Sequence, residues 1–141
     1  MLVVEPVQED QVADVVRLAG NALRLDPTRA EMNQPCCMVA REVATGRIMG
    51  FALADRQAAC ESHLLALAVD GHHRGEGIGS RLLERVRHQM RQEGAMRMVL
   101  DVRADDRAAQ AFYVRHGFSP EGLHRQAYPD GEDAVQYARP L

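Results

Sequence analysis

The sequence predicts one α/β (α+β) domain, with helices on both faces of a mixed, mostly antiparallel sheet of six to seven strands. Two observations predict this class: apolar segments follow the order β-α-α-β-β-β-α-β-α-β-β, and their periodicity alternates between strand-like and helix-like spacing. The 141 residues, 46% of them hydrophobic and 26% charged, suffice for one core and are too few for two. We therefore expect a single domain over residues 1–141.

Strands are predicted where short apolar runs lie between turn residues, at 2–4, 38–42, 48–54, 63–69, 96–102, 119–124 and 134–139. Thr45-Gly46 predicts a hairpin turn between the second and third of these strands. The segment 128–131, Tyr-Pro-Asp-Gly, predicts another turn between the last two.

Helices are predicted where apolar residues recur every three or four positions. The first covers residues 8–19, with Gly20 at its end, and a short helix with a loop is expected at 21–35. The clearest covers 81–93, with Gly94 at the C-cap position, and the last covers 108–116 before Gly117. The apolar stripe of the clearest helix comprises Ile78, Leu82, Leu83, Val86 and Met90.

Charge and cysteine content exclude several classes of protein. The formal charge is −3 without a long run of like charges, so we expect neither nucleic acid nor a membrane surface as a partner. Cys36, Cys37 and Cys60 form no CxxC pair, so they indicate buried strand residues rather than a disulfide framework or a metal site. No signal peptide or membrane span is apparent, and we expect a cytoplasmic protein.

A glycine-rich loop joins the strand at 63–69 to the clearest helix. It reads Arg74-Gly-Glu-Gly77-Ile-Gly79-Ser80. Alternate glycines let the backbone approach a ligand closely, and N–H groups at a helix N-terminus converge on an anion. Arg74 adds a positive charge. The loop is therefore predicted to bind a phosphate group, most naturally a pyrophosphate.

Two other phosphate-binding designs fit less well. A P-loop requires a lysine that this chain lacks. The order of strand, glycines and helix, followed by Asp101, is similar to that of a dinucleotide-binding fold. However, Ser80 stands where that fold has its third glycine, and five residues separate the strand from the glycines, where that fold turns at once. A glycine turn without a ligand is the remaining alternative.

The loop resembles the coenzyme A pyrophosphate loop of the GNAT superfamily of N-acetyltransferases. A second block, residues 100–113 followed by Arg115-His-Gly-Phe118, resembles that family's tyrosine-bearing helix. The resemblance implies a sheet with a splayed central strand pair, acetyl-CoA as co-substrate and no metal. It also implies a bulge in the strand at 63–69, which exposes backbone groups to the pantetheine arm of the coenzyme.

The resemblance places the coenzyme contacts on the splayed strand and the loop. The N–H of Leu67 is the expected oxyanion contact, and Asp106 stands where the family often has asparagine. The implied contacts are Leu67, Ala68, Val69, Arg74, Gly75, Glu76, Gly77, Ile78, Gly79, Ser80, Asp106 and Tyr113.

Three residues are implied for catalysis. Tyr113 matches the family tyrosine near the coenzyme sulfur, and a phenol, protonated at neutral pH, can supply a proton to the departing thiolate. Asp101 and Glu61 are the candidate general bases, with an unidentified chain of waters as the alternative. His72 and His73 are interpreted as loop surface.

The acceptor is expected to be a primary amine, either a peptide N-terminus or a small molecule. The segment 125–134 resembles the ribosomal-protein alanine N-acetyltransferase branch, whose turn helps enclose a peptide N-terminus. That branch tends to have two consecutive tyrosines, and here Ala127 precedes Tyr128. A non-catalytic acyl-CoA-binding module is the alternative of another class, and the chain is expected to be a monomer or homodimer.

Overall fold

The structure is a computed structural model that describes residues 1–19, 36–58 and 60–141. Seven strands form one sheet in the order β1-β2-β3-β4-β5-β7-β6. Among these strands, β4 and β5 form the parallel pair and all other neighbours are antiparallel, which confirms the predicted fold class. The strands are β1 (Leu2–Pro6), β2 (Cys36–Glu42), β3 (Ile48–Ala58), β4 (Glu61–Val69), β5 (Arg97–Arg103), β6 (Ser119–His124) and β7 (Ala134–Pro140).

Three α-helices lie within the described residues: α1 (Val12–Ala19), α2 (Ile78–Gln92) and α3 (Arg107–Arg115). The helix α2 begins three residues earlier than predicted. Its apolar stripe is buried as expected, and Gly94 follows it with a positive φ of 98°. The short helix predicted at 21–35 and the end of α1 at Gly20 lie outside the described residues.

The two faces of the sheet carry two different cores. The helices α2 and α3 cover one face, which we call the α2–α3 face, where Leu82, Met98 and Tyr137 are buried. The helix α1 lies on the opposite face, which we call the α1 face, and packs on Val39 and Phe51. Because side chains alternate along a strand, neighbouring residues of one strand enter different cores.

Four residues differ from their predicted environment. The helical spacing that predicts α1 rests on four apolar residues, Val12, Val15, Val16 and Ala19. Val12 and Val16 point to the surface at 48% and 53% exposure, so α1 buries a narrower stripe than this spacing suggested. Met96 lies outside β5 and is 67% exposed. Cys60 is exposed in the turn before β4, whereas Cys36 and Cys37 are half-buried in β2.

Burial also controls the chemistry of the two β2 cysteines. It raises the pKa of Cys36 to about 11 and that of Cys37 to about 12, so both thiols are protonated at neutral pH. Across the ranges described, none of the helices has the length and apolar character needed to cross a membrane.

Candidate active site

The strands β4 and β5 part after a short stretch of parallel pairing. Their register pairs Glu61, Ser62 and His63 with Arg97, Met98 and Val99, and the pairing ends there. Beyond this point β4 remains paired with β3, and β5 remains paired with β7. An opening is therefore left between the second halves of β4 and β5, in the middle of the sheet.

A bulge in β4 stands at the start of the opening. Leu64 pairs with Ala54 and Ala66 pairs with Leu53, so Leu65 is the extra residue. The strand predicted to carry a bulge carries one here.

The bulge leaves the backbone groups of Leu67 and Val69 facing the opening. Asp70 N donates to Met49 O at 2.8 Å, and hydrogen-bonded and non-bonded residues alternate along an antiparallel pair. Ala68 is therefore bonded to β3, whereas the N–H and C=O groups of Leu67 and Val69 point away from it. Of the three predicted strand contacts, Leu67 and Val69 offer backbone groups to a ligand and Ala68 does not.

The glycine loop follows β4 and is anchored at its first residue. Asp70 accepts hydrogen bonds from His72 N at 3.0 Å and from a guanidinium nitrogen of Arg47 at 2.8 Å. The hydrogen bond from His72, followed by the charge of Arg47, lowers the pKa of Asp70 against the effect of its desolvation. The carboxylate thus holds the loop at the end of β4.

The loop places backbone N–H groups at the start of α2. Gly75 and Gly77 have φ angles of 84° and 80°, in the left-handed region that disfavours other residues. The first intrahelical bond runs from Arg81 N to Gly77 O, so the preceding N–H groups of the first turn have no acceptor within the helix. Arg74 is exposed, and within the described residues it has no ion-pair partner.

Other predicted loop residues are held by the protein itself. Ile78 is buried at 5% exposure, so only its backbone can reach a ligand. Glu76 lies 3.1 Å from His73 Nδ1. A Cβ on Gly79 would meet the Phe112 ring of α3 at 3.5 Å, an ordinary van der Waals contact. Together with the free N–H groups, the loop has the shape and charge for a pyrophosphate.

Tyr113 lies on α3, on the α2–α3 face. Its ring packs edge-on against Phe112 and Phe118, with centroids 5.2 and 5.7 Å away. Burial, followed by the charge of Asp106, raises the pKa of Tyr113 to about 12. Its hydroxyl has no hydrogen-bond partner among the described residues, so a protonated phenol is available to a ligand.

Asp106 is the N-cap of α3. Its carboxylate accepts a hydrogen bond from Ala109 N at 3.1 Å. A carboxylate satisfies this position as well as the asparagine that is frequent in the family. Its contact with a coenzyme stays a prediction.

Asp101 lies on β5, on the α1 face, between two histidines. Its Oδ2 is 3.7 Å from His63 Nε2 on β4, and its Oδ1 is 3.8 Å from His124 Nε2 on β6. His124 Nε2 also lies 2.9 Å from Gln136 Oε1 on β7. Four strands thus contribute to one polar group beside the opening.

Glu61 lies at the joined end of β4 and β5. Its carboxylate is 3.2 Å from Arg97 Nε, and the same guanidinium bonds Glu121 at 2.6 Å. Asp101 is four residues beyond Arg97, about 13 Å along an extended strand. The geometry therefore favours Asp101 over Glu61 as the carboxylate nearer the opening.

The turn between β6 and β7 lies on the same side as Asp101. Arg103 binds Asp105 at 3.0 Å and Asp130 at 2.6 Å, and its guanidinium lies 4.9 Å from the ring centroid of Tyr128. Burial raises the pKa of Tyr128, with the charge of Asp101 as the second cause. Tyr128 therefore lies near Asp101, on the side of the β6–β7 turn.

The sequence offered the histidines as a group among the candidate bases, without distinguishing the two of this site, His63 and His124. His63 is the one basic residue in the apolar strand Glu61–Val69, and that contrast was the available signal. His124 gave no such signal, because its strand is exposed along its whole length and a histidine does not stand out there. Among residues 1–19, 36–58 and 60–141, no three His, Cys, Asp or Glu side chains are grouped to hold a metal ion.

Comparison with known proteins gives one family and several relatives. An acetyltransferase (GNAT) family model matches residues 9–118. The [ribosomal protein bS18]-alanine N-acetyltransferase of Escherichia coli is 37% identical over 84 residues, which are 57% of this chain and 57% of that protein. The match thus spans just over half the length of this curated relative.

Solved structures share the fold over nearly the whole chain. The ribosomal-protein-S18-alanine N-acetyltransferase of Escherichia coli has a TM-score of 0.84 at 26% identity, covering 100% of this chain and 94% of that one. A GNAT family acetyltransferase from Elizabethkingia anophelis with acetyl-CoA bound has a TM-score of 0.85 at 14% identity, covering 99% of this chain and 98% of that one. At that identity the second likeness shows the fold alone.

Proposed function

The chain belongs to the acetyltransferase (GNAT) family, as its glycine loop and tyrosine helix predicted, and we propose that it transfers an acetyl group from acetyl-CoA to a peptide N-terminus. One observation carries the proposal. The strands β4 and β5 part after His63 and Val99, and the backbone groups of Leu67 and Val69 face the resulting opening beside the glycine loop.

The opening fits the narrow arm of the coenzyme. An extended amide chain binds to exposed strand groups by the same hydrogen bonds as an added strand, here those of Leu67 and Val69. The loop from Arg74 to Ser80 is then in place for the pyrophosphate. The thioester is expected near Leu67, whose N–H stabilises the oxyanion formed when the amine attacks.

The two faces of the sheet have different tasks in this reaction. The amine attacks the carbonyl carbon, the new C–N bond forms, and the C–S bond then breaks. Tyr113, on the α2–α3 face, donates its phenolic proton to the departing thiolate. The proton of the acceptor ammonium leaves on the α1 face, where Asp101 lies. We thus propose that Asp101 and Tyr113 act on opposite sides of the thioester.

The proposed acceptor rests on a relative and on one surface. The Escherichia coli relative is named for the alanine terminus of a ribosomal protein. In this chain, Tyr128 and its Arg103 support form a rim beside Asp101, which can contact the first residues of a peptide. A single aromatic at this rim, with Ala127 beside it, is the feature that favours a small amine as the second candidate.

A competition experiment tests the acceptor. Equal concentrations of an Ala-Arg-type hexapeptide and a panel of small amines compete for the enzyme and acetyl-CoA. We expect the peptide to win by at least tenfold in kcat/KM, because its second and third residues help to orient the amine. Tyr128→Leu should reduce this preference. A small amine that wins by more than about tenfold, near 1.4 kcal/mol, contradicts the peptide assignment.

The cytoplasmic location, the single domain and the monomeric or homodimeric state stay predictions.

A further inference from the structure

His63 stands where β4 and β5 part. It forms the last of the described parallel pairs, opposite Val99, and its bulged neighbour Leu65 is two residues further on. Its side chain is 27% exposed and directed toward Asp101 on the α1 face. Among the titratable residues of β4, Glu61 is held by Arg97 at the joined end, whereas His63 borders the opening.

The carboxylate beside His63 is shared between two imidazoles. Asp101 directs Oδ2 toward His63 Nε2 at 3.7 Å and Oδ1 toward His124 Nε2 at 3.8 Å. From β7, Gln136 holds His124 at 2.9 Å, and from the β6–β7 turn Tyr128 borders the same carboxylate. The guanidinium of Arg103, two residues beyond Asp101 on β5, is engaged by Asp105 and Asp130. From β3, the buried Asp55 stands opposite His63 in the register.

The chemistry of proton removal favours an imidazole. The ordinary pKa of an imidazole lies about one and a half units below that of a peptide α-ammonium, whereas that of a carboxylate lies about four units below. Transfer from the ammonium to an imidazole is therefore much less unfavourable. In the described part of the chain, Nδ1 of His63 has no hydrogen-bond partner, which leaves it free when Nε2 is directed at Asp101.

We propose that His63 is the general base of the acetyl transfer and that Asp101 is its positioning residue. The inference rests on the proposed function. His63 Nδ1 takes a proton from the acceptor ammonium, and the electron pair of that N–H bond becomes the nucleophile. Nε2–H remains directed at Asp101, whose negative charge stabilises the imidazolium. His124 Nε2, which contacts Gln136 Oε1 at 2.9 Å, lies 3.8 Å from the other carboxylate oxygen.

Chemical rescue separates proton transfer from a structural role. His63→Ala should lower kcat/KM for the peptide acceptor by about 10²–10⁴-fold. Added imidazole should restore part of the rate, and the restored rate should rise with pH as the added imidazole becomes neutral. His88→Ala removes an exposed histidine of α2 and is the matched control. It should react within about twofold of wild type and ignore added imidazole.

Two further variants complete the test. His63→Gln serves as the second substitution, and a thermal shift with acetyl-CoA verifies that each variant is folded. Asp101→Asn should lower kcat without abolishing the pH dependence that belongs to His63. His63 variants that are folded and react within about twofold of wild type overturn the assignment, as does a slow variant that imidazole never rescues. A wild-type chain that binds acetyl-CoA and acetylates no amine contradicts the proposed function instead.

Discussion

The hydroxyl of Ser80 lies 3.0 Å from Nε2 of His116. This contact joins the first turn of α2, where the glycine loop ends, to the C-terminus of α3, which carries Tyr113. The His116 ring also lies 4.6 Å from the Phe112 ring, and its backbone carbonyl accepts a hydrogen bond from Arg139. The glycine loop and the proposed proton donor are therefore parts of one packed unit.

The half-buried position of His116 predicts a pH-dependent stability. Desolvation lowers the pKa of His116 from its ordinary value of 6.5, and nearby arginines act in the same direction. Below pH 6.5 the unfolded chain therefore binds more protons at this residue than the folded chain, and the free energy of unfolding falls as the pH decreases toward the folded pKa. Above pH 6.5 this contribution is constant.

Urea unfolding of wild type and His116→Gln at pH 7.5, 6.5 and 5.5 measures this contribution. The stability of wild type relative to the variant should decrease across the two lower pH values, since glutamine does not titrate. The contributions of the other histidines and of the carboxylates to the free energy of unfolding are the same in both proteins, so they cancel in the difference. A constant difference across all three pH values would show that His116 titrates normally.

Gly77→Val should abolish most of the stabilisation by acetyl-CoA. Its φ of 80° disfavours a β-branched residue, and the loop backbone must approach the phosphates. Gly94→Val is the matched control, because Gly94 also has a positive φ, of 98°, and an added Cβ likewise meets nothing within 4 Å, at the opposite end of α2 from the loop.

Thermal unfolding with and without acetyl-CoA gives the readout. At about a hundred times the dissociation constant, wild type and Gly94→Val should gain about 2.7 kcal/mol. Both glycine variants should lose stability without ligand. An equal ligand-induced gain in Gly77→Val would contradict the assignment of the loop.

Tyr113→Phe and Tyr137→Phe should have opposite effects on kcat and on stability. The Tyr113 hydroxyl has no partner in the described residues, so its removal should leave stability nearly unchanged and lower kcat by about 10²–10⁴-fold. The Tyr137 hydroxyl donates to Gln110 Oε1 at 3.0 Å, so its removal should cost about 1 kcal/mol of stability and leave kcat within about twofold. Single-turnover rates and urea unfolding measure both. A Tyr113→Phe variant with wild-type kcat would assign the proton to another donor.

Local patterns predicted the elements of the fold well. Sequence spacing alone predicted the apolar stripe from Ile78 to Met90 and the glycines that end α2 and α3, because helical periodicity and positive φ are local properties. The splayed strands were expected from resemblance alone. The extra residue Leu65 carries no turn or glycine signal, so its bulge could not be derived from the residues.

Contacts between distant strands could not be predicted. His63 and Asp101 meet because β4 and β5 pair in one particular parallel register, and shifting that register by one residue would direct either side chain to the other face. The register also decides between Asp101 and Glu61, which the sequence offered as equal candidates for the general base. Only the register shows that Arg97 holds Glu61 at the joined end.

We propose that the opening between β4 and β5 is the site of acetyl transfer to an amine. The most direct measurement incubates the wild-type chain with acetyl-CoA and an Ala-Arg-type hexapeptide, and quantifies free coenzyme A and acetylated peptide in parallel. This assignment of the opening predicts equal molar amounts of both products, with the acetyl group on the α-amine, and a much lower rate for Tyr113→Phe. Saturable binding of acetyl-CoA without formation of either product, with the peptide or any small amine, would contradict it and identify a non-catalytic acyl-CoA-binding module.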